Sequence, residues 1–327
     1  MIITRTPFRI SFAGGGTDLK AYYSKEPGKV ISSSITNYIY VVLKRQIGIV
    51  EHKYRVNWSK VEFCNEIDEI EHPIVREALK MFDIDFAIEI TTFTEIPGQT
   101  GLGSSSSFAV GLVNGLRAIK GEMATKHVLA SEAAHIEVDL LGRTMGKQDH
   151  YAASYGNFNV FTFEANDVVW VEPVLYRPEV KEKLQKNLML FYTGLKRDAS
   201  AILKSQEEQT DIKFDSLRKL QALVDPMRDV LSKGKNLNQF GEILHEGWML
   251  KRQLTDDISS SVIDKYYKKA RKAGAIGGKI LGAGGGGFLL FYVPRGKQKQ
   301  VKGALKDLYY LPVQFDSSGT RITYYDE

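Results

Sequence analysis

The stretch PGQTGLGSSSSFAVGLVNGL, Pro97 to Leu116, constrains this chain more than any other. Gly98, Gly101 and Gly103 interrupt regular structure just before four consecutive serines, Ser104 to Ser107, after which Phe108, Leu112, Val113 and Leu116 recur on one helical face. A glycine-rich turn running into a helix gathers unpaired first-turn N–H groups at the positive end of the helix dipole, which makes an anion site. Gly101 and Gly103 carry no Cβ to obstruct a phosphate, and the serines add hydroxyl donors and an oxygen able to ligate a metal. Taken alone, the same stretch also reads as a serine-capped helix after a flexible turn.

The 327 residues exceed what one core comfortably organises, so two domains are expected. With 43% hydrophobic and 25% charged residues, the composition is that of an ordinary globular protein. The net charge of +5 is spread along the chain without a basic block interleaved with aromatics. That argues against a nucleic-acid surface and leaves a weak bias toward small anions. Cys64 is the only cysteine, which excludes an intrachain disulfide and fits a reducing compartment. The N-terminus lacks a signal-peptide plan and no apolar run is long enough to cross a bilayer, so a cytoplasmic location is expected.

Strand-like runs open the chain at Arg9–Ala13, Val30–Ile35, Tyr38–Arg45 and Tyr54–Trp58. A helix is expected from Pro73, with Ile74, Val75, Ala78, Leu79 and Phe82 on one stripe, then a strand over Asp85–Phe93. Helices are expected from Ser104 to Lys120 and from Thr125 to Leu141, and strands over Phe158–Phe163 and Val168–Val171. The polar stretch Tyr176–Lys186 marks the expected domain boundary. A strand at Leu188–Thr193, charged helices to about Ala273, a glycine-rich pair of strands (Lys279–Gly282, Phe288–Val293), a helix over Lys297–Leu308 and two final strands complete an α+β layout in two parts.

Three other glycine-loop readings fail on the residues. No G-x-x-x-x-G-K-[ST] string occurs, since Gly278-Lys279 is followed by Ile280. Gly282–Gly287 satisfies G-x-G-x-x-G, but a strand follows it where a dinucleotide loop requires a helix. Neither H-R-D nor D-F-G is present. Two further motifs do accompany the central loop: TPFRISFAGGGTD, Thr6 to Asp18, and KILGAGGGGFLL, Lys279 to Leu290. In this order and at these distances, the three resemble the motifs of the GHMP small-molecule kinases, named for galactokinase, homoserine kinase, mevalonate kinase and phosphomevalonate kinase.

That resemblance implies an α+β two-domain fold: a ribosomal-protein-like α/β domain over 1–183 that binds nucleotide and phosphate, and a ferredoxin-like domain over 184–327. It implies an ATP-dependent phosphotransferase with an alcohol acceptor. The phosphates would lie on Gly98, Gly101, Leu102, Gly103, Ser104, Ser105 and Ser106, with Mg2+ held by Ser105 and Glu137. Glu137, in HIEVDLLGRTMGKQD, by itself reads as a solvated helix carboxylate. Asp149, closing the G-x-x-D segment Gly146–Asp149, would accept or orient the substrate's hydroxyl proton, with Arg9 as its partner. Lys147 and His150 flank it without an assigned role, His150 as a surface or supporting residue. The third motif's glycines, Gly282 to Gly287, with Gly284 and Gly285 at the substrate, would let that motif approach nucleotide and substrate closely.

The N-terminal motif is where such kinases read their acceptor. Galactokinase-like sequences carry Gly-Glu-His-Thr-Asp where this chain has Gly14-Gly15-Gly16-Thr17-Asp18. Thr17 and Asp18 remain for a polyol, while Gly15 and Gly16 open space and remove a carboxylate, which suits a larger or anionic sugar. FRISFAGGGTDL…AYY together with GKQDHYAASYG resembles the D-glycero-D-manno-heptose 7-phosphate kinases. The implied partners are ATP and that sugar phosphate, and the implied product is a 1,7-bisphosphate destined for GDP-heptose and surface polysaccharide. Arg197, with Lys196, would meet the 7-phosphate, unless the pair is simply solvated. A kinase of an unphosphorylated sugar such as fucose is the alternative within the class. An idle sugar- or nucleotide-binding regulator is the alternative outside it, against which Asp149, Arg9, Ser105 and Glu137 together argue. The adenine ring is expected near Trp58.

Overall fold

Two antiparallel strands form the spine of the first sheet. β1 (Ile2–Ala13) runs against β2 (Gly28–Arg45) along nearly its whole length. The computed structural model describes residues 1–195 and 199–326, so Lys196 and Arg197 lie outside the described residues. β2 merges the two strands expected at Val30–Ile35 and Tyr38–Arg45. Its first half pairs with β6 (Phe158–Phe163) and its second half with β5 (Ile88–Thr94), and the register against β1 shifts between Pro7 and Phe8. The extended backbone is kept through the changeover because Thr36 N–H donates to the Gln314 carbonyl at 2.8 Å. β3 (Tyr54–Asn57) and β4 (Val61–Cys64) extend the sheet beyond β5, β7 (Val169–Pro173) extends it beyond β6, and β12 (Arg321–Tyr325) covers the free edge of β1.

A short helix α1 (Lys20–Tyr23) follows β1, and α2 (Pro73–Met81) precedes β5. The helix headed by the four serines is α3 (Ser104–Ile119), which packs across β1 and β2 with Phe108, Leu112, Val113 and Leu116 buried. α4 (Lys126–Ala134) and α5 (Gln148–Tyr155) pack beside it. The helix expected to run to Leu141 stops at Ala134, after which His135–Leu140 widens into a π-helical turn closed by Leu141 N–H on the Ile136 carbonyl.

α6 (Pro178–Asn187) leads directly into the second sheet, whose antiparallel order is β11 (Tyr309–Pro312), β8 (Leu188–Tyr192), β10 (Phe288–Tyr292), β9 (Gly277–Ile280). Between β8 and β9 come α7 (Ala199–Glu208), α8 (Phe214–Ala222), α9 (Val224–Lys233), α10 (Asn238–Lys251) and α11 (Ser261–Lys272), while α12 (Gln298–Ala304) joins β10 to β11. This is the strand order of a split βαβ unit. The division expected at 183/184 falls inside α6. β12 and the Phe315–Ile35 bridge return to the first sheet, where the unpaired edge of β1 needs a partner. One of the apolar clusters spans both sheets: in it Phe12 stacks on Phe158 at 4.9 Å and meets Phe240 of α10 edge-on at 5.2 Å.

Candidate active site

A cavity of about 870 Å³ opens along the seam between the two sheets. Gly103 caps α3 in the left-handed region with φ of 77° and no side-chain cap, so the first-turn N–H groups have no intrahelical partner. A Cβ at Gly103 would stand 3.2 Å from both the Asp149 carboxylate and Arg9 Cγ, so glycine keeps this cradle open. Gly98, Gly101, Ser104, Ser105 and Ser106 line the cavity, and the buried Ser106 hydroxyl has no partner among the described residues. The loop therefore fits a phosphate chain. Leu102 does not reach the cavity; its side chain is in the core and its carbonyl accepts from Arg9 N–H at 3.0 Å.

Arg9 grips Asp149 with two parallel bonds, Nε to Oδ1 and Nη2 to Oδ2, both 2.6 Å, and donates through Nη1 to the Gly101 carbonyl at 2.7 Å. This fork ties β1, the phosphate loop and the start of α5 into one rigid unit, with the Asp149 side chain 16% exposed toward the cavity. Asp18 lies deeper, its Oδ1 accepting from Gly16 N–H at 3.0 Å and its Oδ2 from Gln148 N–H at 3.4 Å. Burial, and then the Asp149 charge, raise the Asp18 pKa. Gly15 and Gly16 line the cavity beside it.

Three expected substrate residues are placed elsewhere. Thr17 is fully buried, donating to the Gly14 carbonyl at 2.8 Å and accepting from Lys29 N–H at 3.0 Å, so it closes the turn that presents Asp18. Gly284 and Gly285 pack on Ile258, whose carbonyl accepts from Gly285 N–H at 2.9 Å. Of the expected run Gly282–Gly287, it is Gly282 that reaches the cavity wall, together with Ala283, and Gly282 packs directly on Gly101.

Glu137 is fully buried, not solvated. The π-helical turn aims it inward, where Oε1 accepts from the Ser105 hydroxyl and from Arg143 Nη1, and Oε2 meets His150 Nε2 at 2.9 Å. Arg143 Nη1 also reaches Ser105 Oγ at 3.0 Å. Burial opposes the Glu137 charge, but His150, Ser105 and Arg143 outweigh it and hold the carboxyl below its ordinary range. One carboxylate and one hydroxyl oxygen in contact suit Mg2+, whose shell phosphates and water would complete. His150, read as a surface or supporting residue, is wholly buried against Glu137.

The opposite end of the cavity is apolar and aromatic. The His72 ring lies 4.7 Å from Trp58 and 4.9 Å from Phe108, with Ile96 and Ile74 alongside, a wall suited to a planar base near the expected Trp58. Sequence reading passed over Arg143, Gln148, Lys251 and Lys279, all of which line the cavity. A signal existed for two of them. Lys251 continues the buried helical stripe Leu244 and Trp248, and Lys279 stands inside an apolar strand.

Residues 73–157 match the GHMP kinases N terminal domain and residues 226–311 the GHMP kinases C terminal domain. The D-glycero-alpha-D-manno-heptose 7-phosphate kinase of Campylobacter jejuni is 30% identical over 95% of each chain. The bifunctional fucokinase/GDP-fucose pyrophosphorylase of Arabidopsis thaliana is 25% identical over 92% of this chain and 31% of its own length. Among solved structures, a D-glycero-D-manno-heptose 1-phosphate kinase from Bacteroides thetaiotaomicron superposes with a TM-score of 0.82 over the whole of both chains at 22% identity.

Proposed function

We propose that this chain, which belongs to the GHMP kinase family and is an ATP-dependent sugar kinase, transfers the terminal phosphoryl group of ATP to the C1 hydroxyl of D-glycero-D-manno-heptose 7-phosphate, yielding the 1,7-bisphosphate. The observation that carries this reading is the Arg9–Asp149 fork at the head of the phosphate loop, in a cavity that also holds the buried polyol-binding candidate Asp18 and an excess of cations. The activity named for the Campylobacter relative supports the choice of sugar.

In this reading the α3 cradle holds the nucleotide phosphates and the Trp58–His72 end holds the base. Arg9 fixes both oxygens of Asp149, so the carboxylate presents its remaining lone pairs to the acceptor hydroxyl and orients it for in-line attack. Ser105 and Glu137 would hold Mg2+, which when bound neutralises charge on the phosphates. Arg143, on the same two oxygens, would give up one of them and turn to the phosphates.

The test is ADP release with Mg·ATP against heptose 7-phosphate, L-fucose and galactose in parallel, with phosphorus NMR of the product. Turnover on the heptose phosphate with a new anomeric phosphate signal is expected. Turnover on fucose alone, which the Arabidopsis relative keeps in play, would overturn the anionic acceptor and leave the kinase chemistry intact. Asp149→Asn should lower kcat by roughly 10²- to 10⁴-fold while ATP affinity, measured by calorimetry, is retained.

A further inference from the structure

Two lysines of the C-terminal unit stand in the cavity, in direct contact, among the described residues, with carbonyls and with no carboxylate. Lys251 ends α10 and Lys279 sits in β9, each only 7% exposed. Lys251 Nζ donates to the Gly282 carbonyl and Lys279 Nζ to the Phe12 carbonyl at 3.2 Å, and among the described residues neither meets a carboxylate. Each ammonium has three donors, so both retain donors that these carbonyls do not use. Burying one unpaired ammonium costs several kcal/mol, and placing a second beside it adds repulsion. Burial, then the neighbouring cations, depress both, with Asp18 and Asp149 only partly opposing this at Lys251: Lys251 is drawn down to about 8 and Lys279 well below its ordinary value. An arrangement this unfavourable without a ligand is what a preformed anion site looks like.

The charge inventory of the cavity points the same way. Its charged lining residues are Arg9, Arg143, Lys251 and Lys279 against Asp18, Asp149 and Glu137. Arg9 is matched by Asp149 and Arg143 by Glu137. The two lysines are then left with Asp18, already held by the N–H groups of Gly16 and Gln148, and with whatever of the Asp149 charge its fork with Arg9 leaves over. The nucleotide phosphates have their own cradle at the head of α3, so the one cation in excess and the unused lysine donors are open to a second anion, whose charge would draw both amines to the ammonium form.

We propose that Lys251 and Lys279 form a phosphate-binding subsite that holds the acceptor's own phosphate and selects a sugar phosphate over a neutral sugar. The choice of the acceptor as its source rests on the kinase reading given above. The pair supplies what Arg197 was expected to supply, from residues that are buried and preorganised.

Lys251→Met and Lys279→Met should each raise KM for heptose 7-phosphate roughly tenfold or more, with kcat and the KM for ATP within about twofold of wild type. A fall in kcat at unchanged acceptor KM would place the lysines on the transferring phosphoryl group and overturn the proposal. Calorimetry with inorganic phosphate, without sugar or nucleotide, decides the subsite even if heptose 7-phosphate proves not to be turned over. Loss of phosphate binding in both variants upholds it, and unchanged binding overturns it. Crystals of the wild-type protein soaked in tungstate, a tetrahedral oxyanion, need no variant at all. An anomalous peak between the two Nζ atoms is expected, and a peak confined to the head of α3 would sink the idea.

Discussion

A Cβ on Gly146 would lie 1.8 Å from the Asp18 Oδ2 atom, so Gly146→Ala must push that carboxylate out of its place beneath α5. The displacement should raise the acceptor KM at least about tenfold and cost roughly 1–3 kcal/mol of stability, while leaving ATP affinity unchanged by calorimetry, because the nucleotide cradle is on another element. An acceptor KM equal to wild type would show that Asp18 does not read the sugar. The glycine of the G-x-x-D segment is thus explained by the N-terminal motif's aspartate, 128 positions away in sequence but in contact across the fold. Gly146, Asp149 and Arg9 were legible only through the resemblance of their motifs to those of the GHMP kinases, since a glycine before a helix or an arginine in a strand announces no role by itself. Lys251 and Lys279 were harder to read, since a lysine on a helix or strand ordinarily snorkels to solvent and only tertiary packing shows that these two do not.

His72 caps α2 by accepting the Val75 N–H at Nδ1, 3.4 Å away, which requires the neutral ring with its proton on Nε2. Burial pulls its pKa down to about 4, against about 6.5 in the unfolded chain. As pH falls through 6.5, the unfolded state takes up a proton that the folded state refuses, so this contribution to stability is complete above about pH 6.5 and declines toward pH 4. Chemical denaturation across that window should show stability falling by up to about 1.4 kcal/mol per pH unit from this one site. His72→Asn, which keeps a capping oxygen and removes the titration, should flatten the slope by one proton; an unaltered slope would exclude His72 as the titrating group. The α3 cradle and the apolar stripe of α2 were readable from the chain because cap chemistry and periodicity are local. The π-helical turn at His135–Leu140 was not, since its cause lies outside the element. Glu137 is turned inward to meet Ser105, Arg143 and His150, and no spacing within HIEVDL announces three partners on other segments.

Across the whole molecule, the last strand closes what the first one opens. β12 pairs with β1, the strand that carries Arg9, and Thr320 Oγ1 bonds Thr6 Oγ1 at 2.8 Å beneath it. Deleting residues 317–327 should therefore lower Tm by about 5 °C or more, measured calorimetrically, by stripping an edge that β1 cannot leave bare; an unchanged Tm would make the strand dispensable. The sequence by itself determined the phosphate cradle and the α+β content, which depend on local backbone freedom and on periodicity along one chain. The Arg9, Asp18 and Asp149 candidates and the kinase chemistry came from the resemblance of its three motifs to those of the GHMP kinases. Only the tertiary structure decided that α6 bridges the two sheets without a linker, that β12 belongs to the first of them, which glycine of the run Gly282–Gly287 meets the phosphate loop, and that two lysines lie buried at the seam. Those outcomes depend on which surfaces exclude water from one another, and desolvation is a property of the packed pair of units that no single segment carries.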